Sequence, residues 1–183
     1  MVIYTIGHST RSWDDFLALL RAHGIGRVAD IRMVPRSRRH PHFSADALGR
    51  SLPAGGVAYR HFPGLGGLRK PRPDSPNGAW RHVSFRGYAD HMQTAEFRDA
   101  LTDLIGWAGG AGRERPGLHA GTAMMCAEAV WWRCHRQLTA DALLARGLDV
   151  CHITSTSPAA AHKLTEFARV VDGQVWYPSL AQG

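Results

Sequence analysis

The stretch TAMMCAEAVWWRCHRQLTADALLAR, residues 122–146, decides the class of fold. Its opening, 122–126, is a short apolar run suited to a buried strand. Residues 134–146 read as a helix, with apolar residues recurring at helical spacing from Leu138, and Gly147 stops it. A strand that hands over to a helix is half of a βαβ unit. At the handover Cys126, Glu128, Arg133, Cys134, His135 and Arg136 crowd two thiols, a carboxylate, an imidazole and two guanidiniums into one turn of chain.

The same alternation extends in both directions. Residues 2–6 are a β-rich run ending at Gly7, and Ser12 with Asp15 has the spacing of a capping box ahead of Trp13, Phe16, Leu19 and Leu20. Residues 27–31 and 57–62 read as strands, with a Ser44-capped helix through Leu52 between them. Thr94 opens the clearest helix, with Phe97, Leu101, Leu104, Ile105 and Ala108 on one face and Gly109-Gly110 at its end. Residues 149–153 are a fifth strand, Pro158 opens an expected last helix through about Val170, and residues 174–177 suit a small edge strand. This order predicts an α/β fold of three layers: a five-stranded, mostly parallel sheet with helices on both faces, Rossmann-like, in a single domain spanning residues 1–183. One long irregular stretch, residues 62–86, contains Pro63, Pro71, Pro73 and Pro76; a loop of that length in a small domain usually serves function.

Composition sets outer bounds. The chain is 44% hydrophobic and 20% charged, as ordinary globular proteins are, and no apolar run approaches the length of a membrane span. The N-terminus lacks the basic-then-apolar pattern of a secretory signal, so a cytoplasmic protein is expected, with no membrane partner. Three cysteines, all after residue 125, do not make a disulfide framework. Charge is more telling. The net +7 is concentrated in residues 32–86, where 11 basic residues face only Asp46 and Asp74, and 20 of the 22 basic residues of the chain are arginine. Arginine's planar fork suits phosphate, and its clustering points to a nucleic-acid or nucleotide partner. A GC-rich gene would explain arginine over lysine, but not its segregation.

Ligands of open α/β sheets sit beyond the carboxyl ends of the strands. Here those ends carry Gly7-His8-Ser9, Asp30-Ile31-Arg32, Leu65-Gly66-Gly67, Cys126-Ala127-Glu128, and His152 followed by Thr154 and Ser155. The combination TIGHS at 5–9, DIR-x-x-P-x-S at 30–37, LGG at 65–67, GYADHM at 87–92 and CAE…CHR at 126–136 resembles the domain-of-unknown-function family 488 over residues 3–154. The resemblance implies a single α/β domain of prokaryotic type and carries no settled activity, although some members bear a DNA-repair label.

Three chemistries compete for the residues at 126–136. Zinc would use Cys126, Cys134 and His135, but seven residues separate the thiols where structural sites favour two to four, so no cofactor is expected. A nucleophilic Cys134 at a helix N-terminus beside Arg133, His135 and Arg136 would have a lowered pKa; a phosphatase-like C-x5-R loop is excluded because Trp132 stands at the arginine position. The leading reading makes Asp30 and Glu128, with His8, the acid–base groups. Substrate binding then falls to Ser9, Arg32, Ser37, Arg38, Tyr59, Gly66, Gly67, Tyr88, Cys126, Cys134, His135 and Arg136, with backbone N–H groups at Cys134 adding an anion site. Tyr59, Tyr88 and Trp80 flank the basic loop, where they could stack on a base. The structural alternative has Asp30 and Arg32 in an ion-pair network with Glu128 and Arg136. The expected function is hydrolysis of an N-glycosidic or phosphate linkage in a nucleic-acid or nucleotide-like substrate, as in DNA glycosylases and repair enzymes. The alternatives are a non-catalytic nucleic-acid-binding module and a metal- or thiol-dependent enzyme acting on a small anion.

Overall fold

Strands β1 (Val2–Gly7), β2 (Ile25–Asp30), β3 (Ala58–His61), β4 (Gly121–Cys126) and β5 (Asp149–Ile153) pair in parallel, and a two-residue β6 (Ala160–Ala161) runs antiparallel to β5. The computed structural model describes residues 1–36, 38–110 and 121–179. Across the sheet the order is β3-β2-β4-β1-β5-β6, so the five parallel strands expected from sequence gain a sixth at one edge. The helices are α1 (Trp13–Ala22), α2 (Ala45–Ala54), α3 (Val83–His91), α4 (Ala95–Ala108) and α5 (Arg136–Ala145). The first, second and fourth of these start where the sequence places a cap. Ser12, Ser44 and Thr94 accept hydrogen bonds from the backbone N–H of Asp15, Ala47 and Phe97, satisfying donors that a helix start otherwise orphans.

Strand periodicity splits the core in two. Along β4, Ala123 and Met125 join Phe16, Leu20, Leu48 and Leu52 of α1 and α2, while Met124 and Cys126 join residues of α3, α4 and α5. The chain therefore leaves β1 and β2 toward one face and leaves β4 toward the other. β4 lies between β1 and β2, so crevices open on both its sides at the carboxyl ends.

Several expectations are corrected. Residues 158–170 form no helix: β6 is followed by turns and by β7 (Arg169–Val171), which pairs with β8 (Gln174–Trp176) in a separate two-stranded sheet, not at the edge of the main one. The alanine-rich segment has ample helical propensity, but its polar groups are claimed elsewhere. His162 N–H donates to the Val150 carbonyl, and the His162 ring and Thr165 N–H both bond the buried Asp141 carboxylate of α5. Winding the segment into a helix would strip Asp141 of these partners inside the protein. The irregular stretch at 62–86 ends early, because α3 begins at Val83. It is also pinned down. Asp90 accepts from Arg72 N–H, Ser75 Oγ and Asn77 Nδ2, His91 Nε2 bonds the Gly64 carbonyl, and Tyr88 Oη donates to the Leu65 carbonyl. The GYADHM motif is thus the clasp that holds the basic loop against the body.

The helix expected from Cys134 begins at Arg136 instead. A single 3-10 turn, Trp131–Arg133, comes first, and Trp131 stacks on His152 at 3.9 Å. Cys134 is extended, with φ −134° and ψ 150°, and its N–H bonds the Trp131 carbonyl. It offers no helix-terminal donor to an anion. Among the described residues, no helix is long and apolar enough to cross a membrane.

Candidate active site

The loop after β4 lies directly over the end of β1. His8 N–H and Ser9 N–H extend the ladder to the carbonyls of Cys126 and Ala127, and a Cβ on Gly7 would stand 2.0 Å from the Glu128 carbonyl oxygen. Only glycine permits that approach, which accounts for the central residue of TIGHS. Ser9 follows in the left-handed region at φ 48°, which turns the chain sharply at the mouth of the crevice.

On the β2 side of this loop is a cavity of about 360 Å³, lined by residues that include His8, Ser9, Arg32, Arg36 and Glu128. Its fixed point is Arg32. Asp30 is wholly buried and accepts from Arg32 N–H, Nε and Nη2 and from Tyr59 Oη. Arg32 Nη2 also donates to the Phe43 carbonyl, and Nη1 reaches His8 Nε2 at 3.2 Å. Arginine only donates, so His8 Nε2 is the acceptor and its proton sits on Nδ1, 3.0 Å from the Ser9 carbonyl. Burial, and then the charge of Arg32, push the His8 pKa down to about 4, so the ring is neutral at pH 7. Burial and the Asp30 carboxylate push the Tyr59 phenol upward. Asp30, His8 and Tyr59 together hold Arg32 in place, and Asp30 has no bond left to offer a substrate. Arg38 and Arg39 are exposed on the same segment as Arg36, while Ser37 lies outside the described residues.

On the other side of the β4 loop is a cavity of about 340 Å³, lined by residues that include Gly67, Ser84, Tyr88, Cys126, Cys134 and His135. Glu128 and Ala127 line both cavities. The sulfurs and the His135 ring lie within 4.8 Å of one another, and Cys134 Sγ is 3.6 Å from His135 Nδ1. The contact between the thiols pushes Cys126 up and Cys134 down, with His135 and Arg136 adding to the fall at Cys134. Both glycines of LGG allow close approach: a Cβ at Gly66 would meet Met33 Cα at 2.7 Å, and one at Gly67 would meet His135 Nδ1 at 2.9 Å. Tyr88 is buried with its hydroxyl bonded to Leu65 and Thr139, and Trp80 packs on Phe85, Phe167 and Tyr177.

The ion-pair network anticipated from sequence forms by half. Asp30 binds Arg32, but Arg136 bonds the backbone carbonyls of Glu128 and Ala129. The Glu128 side chain is exposed and takes only a 3.5 Å contact from Val130 N–H. Arg136, 1% exposed, has no carboxylate partner among the described residues, and its Nε is unpaired. The basic stretch also divides. Arg60, Arg69 and Arg72 pair with Asp103, Glu96 and Asp74, whereas the guanidiniums of Arg36, Arg38 and Arg39 make no ion pair with a described residue. His40 and Ser84 line the cavities without having been singled out; a histidine beside three arginines was the only available hint, and Ser84 had none.

Topology and site together define a doubly wound α/β protein whose polar groups converge at the strand carboxyl ends, divided by the loop after β4. The chain belongs to the family described as Domain of unknown function DUF488, which matches residues 12–143. The TIGHS motif lies just ahead of that span. No curated protein and no solved structure matches the chain.

Proposed function

We propose that the chain is a hydrolase acting on a nucleic-acid or nucleotide-like substrate at an N-glycosidic or phosphate linkage. The observation that carries this reading is the place of Glu128: an exposed carboxylate on the wall shared by an arginine-lined cavity and a thiol–imidazole cavity. Arg32, oriented by Asp30 and His8, and the exposed Arg36, Arg38 and Arg39 supply the phosphate contacts. Ser9 borders the same cavity and adds a hydroxyl. Glu128 takes a proton from the attacking water as the water oxygen bonds the sugar carbon or the phosphorus; the bond to the base or alcohol breaks with its electron pair, and the departing group takes a proton from solvent. Asp30 and His8 serve as positioning residues, because every polar atom they could use on a substrate is already bonded to Arg32 or its neighbours.

Fluorescence anisotropy with labelled single- and double-stranded oligonucleotides at low salt tests the binding half. Affinity should fall as salt rises, and replacing Arg36, Arg38 and Arg39 together by alanine should lower the salt slope on single strands by about 2. Absence of binding to any strand at low salt contradicts the reading. For the catalytic half, Glu128→Gln should bind as the wild type does and lose about 10²-fold in turnover on oligonucleotides carrying modified bases. Equal turnover in Glu128→Gln and wild type removes Glu128 from the chemistry.

A further inference from the structure

We propose that Cys126, Cys134 and His135 bind one zinc-type divalent ion through two sulfurs and an imidazole nitrogen, leaving a fourth position to the cavity they line. This departs from the sequence expectation of no cofactor, which rested on the spacing of the two thiols. Spacing along the chain is the wrong measure here. Cys126 ends β4 and Cys134 is the extended residue ahead of α5, and the fold brings them together above the sheet.

The distances suit the ion. Zinc bonds of about 2.3 Å to sulfur and about 2.0–2.1 Å to nitrogen, at tetrahedral angles, place sulfur and nitrogen about 3.6 Å apart and two sulfurs about 3.8 Å apart. Cys134 Sγ and His135 Nδ1 are 3.6 Å apart, and the three donor atoms all fall within 4.8 Å of one another. Little rearrangement is needed to close a site around an ion.

The tautomer is fixed as well. His135 Nε2 is 2.9 Å from the carbonyl oxygen of Ile31, which only accepts, so the proton is on Nε2 and Nδ1 presents its lone pair toward the sulfurs. A ligating histidine that donates its far nitrogen to a backbone carbonyl is the usual outer arrangement of a metal site. Gly67 packs so tightly on this ring that a side chain there would displace it.

The donor set chooses the metal. Two thiolates and an imidazole favour zinc over magnesium or calcium, which take oxygen. Three protein ligands with an open fourth corner are the pattern of a reactive rather than a structural zinc. The inference does not depend on the substrate proposed above, since the ligand geometry stands whatever the cavity holds.

Cobalt titration of the reduced, metal-free chain is the test. One equivalent of Co²⁺ should produce thiolate-to-cobalt charge-transfer absorption with the intense d–d bands of a tetrahedral ion, and one equivalent of Zn²⁺ should abolish both. The Cys134→Ser and His135→Gln variants should each bind at least about 10²-fold more weakly, while Cys151→Ser, which alters the thiol on β5, should match the wild type. The wild-type titration needs no variant, so a variant that fails to fold leaves the test intact. A reduced wild type without the charge-transfer band overturns the site, as does a spectrum that survives Cys134→Ser. Oligonucleotide binding is read separately, so either proposal can fail while the other holds.

Discussion

Replacing Asp30 by asparagine should cost far more stability than any other single-atom change at the site. Asp30 is fully buried and accepts four hydrogen bonds, three of them from Arg32. An asparagine amide cannot take the place of Oδ1, where two Arg32 donors converge; it can only replace Oδ2, where it meets Arg32 Nη2 and the Tyr59 hydroxyl. That orientation loses the 2.6 Å Nη2 contact and leaves the Arg32 guanidinium, only 6% exposed, without a counter-charge. Breaking a buried pair from one side costs about 3–5 kcal/mol. With an unfolding entropy of about 0.4 kcal/mol/K for a chain of this length, the melting temperature should fall by roughly 8–13 °C. Calorimetric melts at pH 7.5, with urea titrations showing an unchanged m-value, measure it. Tyr59→Phe, which removes one neutral donor, should cost about 1 kcal/mol. The double variant Asp30→Asn/Arg32→Met should recover part of the loss, because no buried charge remains. An Asp30→Asn melt within about 2 °C of wild type would mean that Arg32 draws its compensation from water and not from Asp30.

Glu128→Gln should melt within about 0.5 kcal/mol of wild type, because the carboxylate is exposed and makes one weak contact; a large loss would show a buried partner. His8 and His152, with pKa values pushed down to about 4 and about 3, stay neutral in the fold and protonate near 6.5 once unfolded. The unfolded chain then binds more protons below pH 6.5, so stability should decline as pH falls from there toward 4; melts that rise over that interval would contradict the assignment. Asp141→Asn weakens the bonds from His162, Thr165 and Tyr177 and should cost about 2–3 kcal/mol, with faster proteolytic cleavage after residue 154 as the second readout. Gly7→Ala should cost at least about 1–3 kcal/mol, because its Cβ would displace the Glu128 carbonyl and with it the wall between the cavities; an unaltered melt would mean that the loop yields freely.

The parallel sheet and the capped helices α1, α2 and α4 were legible because each carries its own local signal: a β-branched or apolar run, a capping serine or threonine, a glycine stop. Helix α3 was missed because Gly87 reads as a breaker, at about 1 kcal/mol against alanine. The structure needs glycine there, since a Cβ would meet the Arg69 carbonyl at 2.3 Å. The false helix at 158–170 arose because Asp141 looks like an ordinary polar residue of an amphipathic helix. Its burial, and its demand for donors from His162 and Thr165, are tertiary facts. The β7–β8 hairpin was misassigned, to the end of the last helix and to an edge of the main sheet, although Asp172-Gly173 is a two-residue turn sequence and both residues have positive φ, 50° and 72°. At the site, strand-end reasoning placed His8, Ser9, Arg32 and Glu128 at one edge of the sheet, and they line a cavity there. It could not tell which carboxylate would be buried, because Asp30 and Glu128 differ only in what packs around them. It named Cys126, Cys134 and His135 together only as a zinc set put aside on spacing; that their donor atoms come within 4.8 Å of one another is a tertiary fact.

On the proposed function, a phosphate-bearing ligand should enter between the ends of β1, β2 and β4 and be held by Arg32. Amide NMR of the labelled chain during titration with a 5′-nucleoside monophosphate reads this residue by residue. Chemical shifts should move at Ser9, Thr10, Arg32, Arg36 and Ala127, which line the arginine cavity, and the Arg32→Met variant should abolish the change. Shifts confined to the cavity bordered by Arg69, Asp90 and Glu96, or no shifts at millimolar ligand, would contradict it.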